Sequence, residues 1–232
     1  LPHKFVDHSH SNAILSLIDQ PNPEKICKHV FGDEMGIVPY IMPGFELAKK
    51  ASEVFDKNPN VKGLILLNHG IFTFANNAKE SYERMIKYIT KAEKELTKKS
   101  KRIRVSKYVE KKISISEVSN LIRQQIANKR GDDFERKVVH FNKPKFFDEL
   151  FSHPNLKKFT NEGPVTPDHV IRIKSKPLII DLSKEKSNNL EKIIIQSIEN
   201  FKENYKKYFK RNHKYNYSAS MLDPYPRLIL VK

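Results

Sequence analysis

The sequence predicts an α/β fold over its first hundred residues, followed by an α+β extension. Three observations carry that prediction. Residues 63–68, Gly-Leu-Ile-Leu-Leu-Asn, form a continuous apolar run, the pattern of a strand buried on both faces. Residues 46–56 and 78–99 flank it with apolar positions at helical spacing. After Lys99 the chain turns polar and basic before periodic segments resume.

Taken in order, residues 5–10 read as a short strand, and residues 11–19 place Ala13, Ile14, Leu17 and Ile18 at helical spacing. Pro21 and Pro23 break that helix. Pro23-Glu24 starts another through Val30, because proline fits the first helical turn. Residues 36–41 are strand-like, with Pro39 marking an edge or an end. Pro43-Gly44 is a turn, and Leu47, Ala48, Ala51, Val54 and Phe55 then line one face of a helix over 46–56. His69-Gly70 interrupts the apolar strand, with Gly70 read as the residue that lets the backbone turn. Residues 71–74 form a second strand. Asn77 caps a long helix over 78–99, with Tyr82, Met85, Ile86, Ile89 and Ala92 facing inward.

In the second half, residues 114–128, 146–151 and 190–209 read as helices, and 177–182 and 228–231 as strands. The last of these is expected to feed a following Rossmann-type sheet. Thr166-Pro167 is a helix start, threonine as cap and proline at the first helical position. Asp168 and His169 diverge by about 100° on such a helix, so they are assigned to structure. No independent site is expected after residue 100.

Composition limits the function. The 232 residues have a mean hydropathy of −0.60, and no apolar run approaches the roughly 18–20 residues of a membrane helix. No membrane partner is expected. The 43 Lys+Arg against 27 Asp+Glu give a net charge of +16. Most of the basic residues are Lys, and specific readers of phosphate and base edges lean on Arg forks. The dense basic stretches 98–112 and 202–214 lie on helical patterns without a nucleic-acid signature, so no nucleic-acid partner is expected. A lone cysteine, Cys27, excludes an intrachain disulfide and fits a reducing cytoplasm. Residue 1 is Leu, and the chain stops inside an apolar run. It is therefore read as an internal piece of a longer protein.

The feature with chemistry in it is Asp7-His8-Ser9-His10. Residues i and i+2 of a strand share a face, so His8 and His10 project side by side with roots about 6–7 Å apart. Two such imidazoles can converge on one divalent ion. His69, where the most apolar strand stops, is a third candidate, since strand ends are where sites form in α/β folds. Three neutral imidazoles with an open coordination position suit zinc acting as a Lewis acid. His3, His29, His140, His153, His169 and His213 have no comparable setting.

Three segments carry a likeness to a known family: Val6-Asp-His-Ser-His-Ser-Asn-Ala-Ile14, Val38-Pro-Tyr-Ile-Met-Pro-Gly44 and Leu67-Asn-His-Gly-Ile-Phe-Thr-Phe74. With them the chain resembles the class II aldolase/adducin family, and within it the bifunctional rhamnulose-1-phosphate aldolase/short-chain alcohol dehydrogenases. The likeness continues over 78–93, 163–172 and 221–227. It implies a class II aldolase-like αβα layered fold, present in part over residues 1–99, with 100–232 as the aldolase's extension and connector.

The resemblance implies zinc held by His8, His10 and His69, and an acid/base glutamate and a phosphate loop that would lie upstream of Leu1. It implies retro-aldol cleavage of a ketose 1-phosphate, with rhamnulose 1-phosphate giving dihydroxyacetone phosphate and L-lactaldehyde. No lysine Schiff base is required. NAD would belong only to a dehydrogenase domain downstream, because the chain holds no dinucleotide-binding glycine loop. A homo-oligomer acting on a small sugar phosphate follows from the same likeness, and the lone thiol places it in the cytoplasm. Two rival readings are an adducin-like binding module without chemistry and a basic nucleic-acid binder.

Overall fold

Four strands organise the first part of the computed structural model, which describes residues 1–100, 114–130, 133–143, 146–182 and 189–232. In chain order the elements there are β1 (Phe5–Ser9), α1 (Asn12–Ile18), α2 (Pro23–Phe31), β2 (Met35–Val38), α3 (Phe45–Lys57), β3 (Gly63–Leu66), β4 (Gly70–Ala75) and α4 (Ala78–Lys99). The sheet order is β1-β4-β3-β2. β1 and β3 pair antiparallel with β4, and β2 runs parallel to β3. These elements belong to the first of two compact units, Leu1–Ile103 together with Val165–His169.

The continuous apolar run of β3 follows from its place between two helical layers. Ile65, and Leu67 just beyond it, pack with α1, α2 and α4 around Ile14, Ile18, Phe31, Met85 and Tyr88. Leu64 and Leu66 face the opposite way, onto Leu47, Ala51 and Phe55 of α3. The fold is thus α/β with helices on both faces of the sheet, as expected.

Two local expectations are corrected. In α4 the buried positions are Ser81, Met85, Tyr88, Ala92 and Glu95, while Tyr82 and Ile86 are exposed. Ser81 sets that rotation. Thr73 Oγ1 donates to the Ser81 carbonyl at 2.9 Å and Ser81 Oγ donates back to the Thr73 carbonyl at 3.3 Å, so the helix lies close to β4 on its small residue. The Asn77 cap is present, its side chain accepting from the N–H groups of Lys79 and Glu80. The second correction concerns the β3–β4 turn. The residue in the left-handed region is Asn68, at φ 56°, and not Gly70.

The second unit, Arg104–Pro164 with Val170–Lys232, contains α5 (Ile115–Ile126), β5 (Asn128–Arg130), β6 (Asp133–Glu135), α6 (Phe147–Ser152) and α7 (Leu156–Glu162). The helix α8 (Pro167–Ile173) follows, then β7 (Leu178–Ile180), α9 (Leu190–Asn212) and β8 (Ile229–Val231). Val118, Ile122 and Ile126 of α5 pack with Leu178 and Ile180 of β7 and with Ile194 and Ile198 of α9. β8 pairs parallel with β7, so this strand is used within its own unit. The β5–β6 hairpin and α7 were not anticipated from the sequence. The helical pattern expected over 98–112 lies beyond residue 100 largely outside the described residues. Among the described residues, no helix is long and apolar enough to cross a membrane.

Candidate metal centre

β1 ends at Ser9, so His8 is the last-but-one strand residue and His10 stands just past it. His69 occupies the turn between β3 and β4. Because β1 pairs with β4, with Ser9 opposite Ile71, this turn is brought to the end of β1. The three rings form a nearly equilateral cluster. Their centroids lie 4.7 Å apart for His8–His10, 5.1 Å for His8–His69 and 5.0 Å for His10–His69. One nitrogen from each ring falls within 4.8 Å of the others, a spacing that one metal ion can bridge.

Gly70 makes room for the cluster. A Cβ there would stand 2.5 Å from the Ser9 carbonyl oxygen, 3.0 Å from His10 Cδ2 and 3.3 Å from His8 Cε1. The glycine after His69 therefore serves close packing, and the turn itself is made by Asn68, whose amide also donates to Asp19 Oδ1 at 3.1 Å.

Ring orientation follows from what each Nδ1 meets. His8 Nδ1 lies 3.0 Å from the Ile71 carbonyl oxygen, which can only accept, so the proton sits on Nδ1. His10 Nδ1 lies 2.6 Å from Asp168 Oδ2, again an acceptor. When both rings are neutral, each Nε2 carries a lone pair, and the two nitrogens face each other at 3.0 Å. Only an electrophile, a proton or a metal ion, relieves that arrangement. His69 Nδ1 is buried and has no hydrogen-bond partner among the described residues. Loss of hydration pushes the His8 imidazole below its ordinary value, against the pull of the Ile71 hydrogen bond. It does the same to His69, helped by the neighbouring His8 and His10. Both shifts favour neutral imidazole, the form that binds a metal.

Asp168 is the residue that sequence reasoning missed. It was assigned to a helix start, and it does stand in the first turn of α8, yet its carboxylate meets His10. No local signal marks it, since 158 positions separate the two residues. His169 diverges from it as expected and bonds to the hydroxyl of Thr166. His153 accepts from the Asn155 N–H at 3.0 Å, and His213 Nε2 lies 3.2 Å from the Ala219 carbonyl oxygen. Both are local structural contacts.

Two family models, a curated relative and a solved structure resemble parts of this chain. Residues 2–96 match the model of the class II aldolase and adducin N-terminal domain, and residues 114–232 match that of the aldolase class II second domain. An uncharacterized oxidoreductase of Bacillus subtilis (strain 168), YuxG, is 25% identical over 211 residues, covering 87% of this chain. The chain spans 30% of that relative's length. The solved N-terminal class II aldolase domain of a conserved protein from Thermoplasma acidophilum is 39% identical, over 41% of this chain and 44% of that one, with a TM-score of 0.38. By the extent of the two domain matches, this chain belongs to the class II aldolase and adducin family.

Proposed function

We propose that the chain is the aldolase part of a zinc-dependent lyase that cleaves a ketose 1-phosphate, with rhamnulose 1-phosphate as the preferred candidate. The products would then be dihydroxyacetone phosphate and L-lactaldehyde. The observation that carries this reading is the pair of Nε2 lone pairs facing at 3.0 Å, each fixed by an acceptor at its Nδ1. His8, His10 and His69 would hold the ion, which when bound supplies a Lewis acid for the oxygens beside the bond that breaks.

The chain's own part is to converge the three imidazoles and, by burial, to favour the neutral form of His8 and His69. The Ile71 carbonyl and the Asp168 carboxylate orient two of them, and Gly70 leaves the space they occupy. The name of the Bacillus relative and its greater length support a parent protein in which residues 1–99 carry the metal site, 100–232 serve as extension, and a dehydrogenase domain uses NAD. A homo-oligomer in the cytoplasm is part of the same proposal.

The test is to strip the full-length protein of metal, restore zinc, and follow cleavage of ketose 1-phosphates through formation of dihydroxyacetone phosphate. Zinc-dependent cleavage is expected. Cleavage unaffected by metal removal, or none with any ketose phosphate, would contradict the proposal.

A further inference from the structure

We infer that Asp168 is a positioning residue for the metal centre, acting through His10 and not on the ion. The inference rests on the metal-site reading above and extends it to a residue in the segment matched by the second-domain model.

His8 and His10, at the end of β1, are oriented by different kinds of partner. His8 is held by a backbone carbonyl, that of Ile71, which no substitution removes. His10 is held by a side chain, the Asp168 carboxylate at 2.6 Å. An imidazole whose Nδ1–H meets a carboxylate keeps its Nε2 lone pair free, and the nearby negative charge makes that nitrogen a stronger donor to a metal. Among the described residues Asp168 is the partner at His10 Nδ1, so its removal takes away the contact that dictates which nitrogen of the ring carries the proton.

The local backbone explains how Asp168 is presented. Pro167 fixes the first helical position, and Thr166 Oγ1 accepts from the His169 N–H at 3.4 Å, so the first turn of α8 is set from both sides of Asp168. The carboxylate is 56% exposed and the His10 side chain 24%. Asp168 is thus open to water while touching the half-buried ring.

The alternative is that Asp168 only stabilises the start of α8. Three measurements separate the two: zinc affinity by competition with a chromophoric chelator, thermal stability without metal, and the imidazole N–H proton spectrum of the zinc-bound chain. Asp168→Asn keeps the shape and removes the charge. The expected result is zinc affinity lowered about 10- to 100-fold with the metal-free melting temperature unchanged. The zinc-bound wild type should also show a slowly exchanging, strongly downfield His10 Nδ1 proton. That signal decides the matter if the variant folds poorly, because it needs no substitution. Zinc affinity of folded Asp168→Asn within twofold of wild type, or absence of the His10 signal, would overturn the inference while leaving the metal site standing. A wild-type chain that binds no zinc would remove the metal reading itself, and this inference with it.

Discussion

Gly70 lies so close to Ser9 that a Cβ on the glycine would sit 2.5 Å from the Ser9 carbonyl oxygen. The obstacle is backbone, not the end of a flexible side chain, so the β1–β4 pairing must shift to accept it. Gly70→Ala should therefore cost about 3 kcal/mol, at the high end for overpacking, and should weaken metal binding by displacing His8 and His10. Urea denaturation with and without zinc checks both. Wild-type stability in the variant would mean that the contact is not as tight as the structure has it.

Glu34 links the turn after α2 to α4. Its carboxylate accepts from Lys87 Nζ at 2.7 Å and Lys91 Nζ at 2.6 Å. These bonds hold its pKa at about 2, below the ordinary 4.5. A depressed carboxylate contributes stability above the unfolded pKa and loses it as pH falls through the folded one. This contribution should fade between pH 4.5 and 2. The group is 41% exposed, so screening holds the gain to about 1 kcal/mol. Glu34→Gln should lose that amount at pH 7 and show a flatter acid limb in denaturation curves. An unchanged pH profile would contradict the linkage.

Lys174 is buried and sits at φ 69°, with Nζ donating to the Asp223 carbonyl at 2.6 Å and lying 4.2 Å from the centre of the Tyr205 ring. Burial pushes its pKa down, partly offset by Asp223. Lys174→Met keeps the stem and deletes the donor, leaving the Asp223 carbonyl without this bond. The expected loss is about 1.5–3 kcal/mol, the range for a charged hydrogen bond, measured by chemical denaturation. A neutral or stabilising result would show that desolvation of the ammonium outweighs its contacts.

Much of the fold was legible because its signals are local. The apolar run of β3, the proline at the start of α2, the Asn77 cap and the i,i+2 histidines each need only a few neighbouring residues. The errors come where tertiary contacts decide. Tyr82 and Ile86 share the apolar character of α4, but the reciprocal Thr73–Ser81 bonds turn the helix so that Tyr88 is buried instead. Gly70 was credited with the turn that Asn68 makes, because the close approach of Ser9 leaves no trace in sequence. The run at 228–231 gave its strand character but not its partner β7. Asp168 was hidden for the same reason, its meaning depending on a histidine 158 residues away.

His8, His10 and His69 are proposed to form one metal site. Its most direct test is a zinc titration of the 232-residue chain beside single His→Ala variants at the three positions. One zinc per wild-type chain is expected. Each variant should bind far more weakly, and wild-type affinity should fall only at pH below the ordinary histidine value of 6.5, because burial pushes His8 and His69 lower and protons then compete later. Zinc binding by the single variants equal to that of wild type would contradict the assignment.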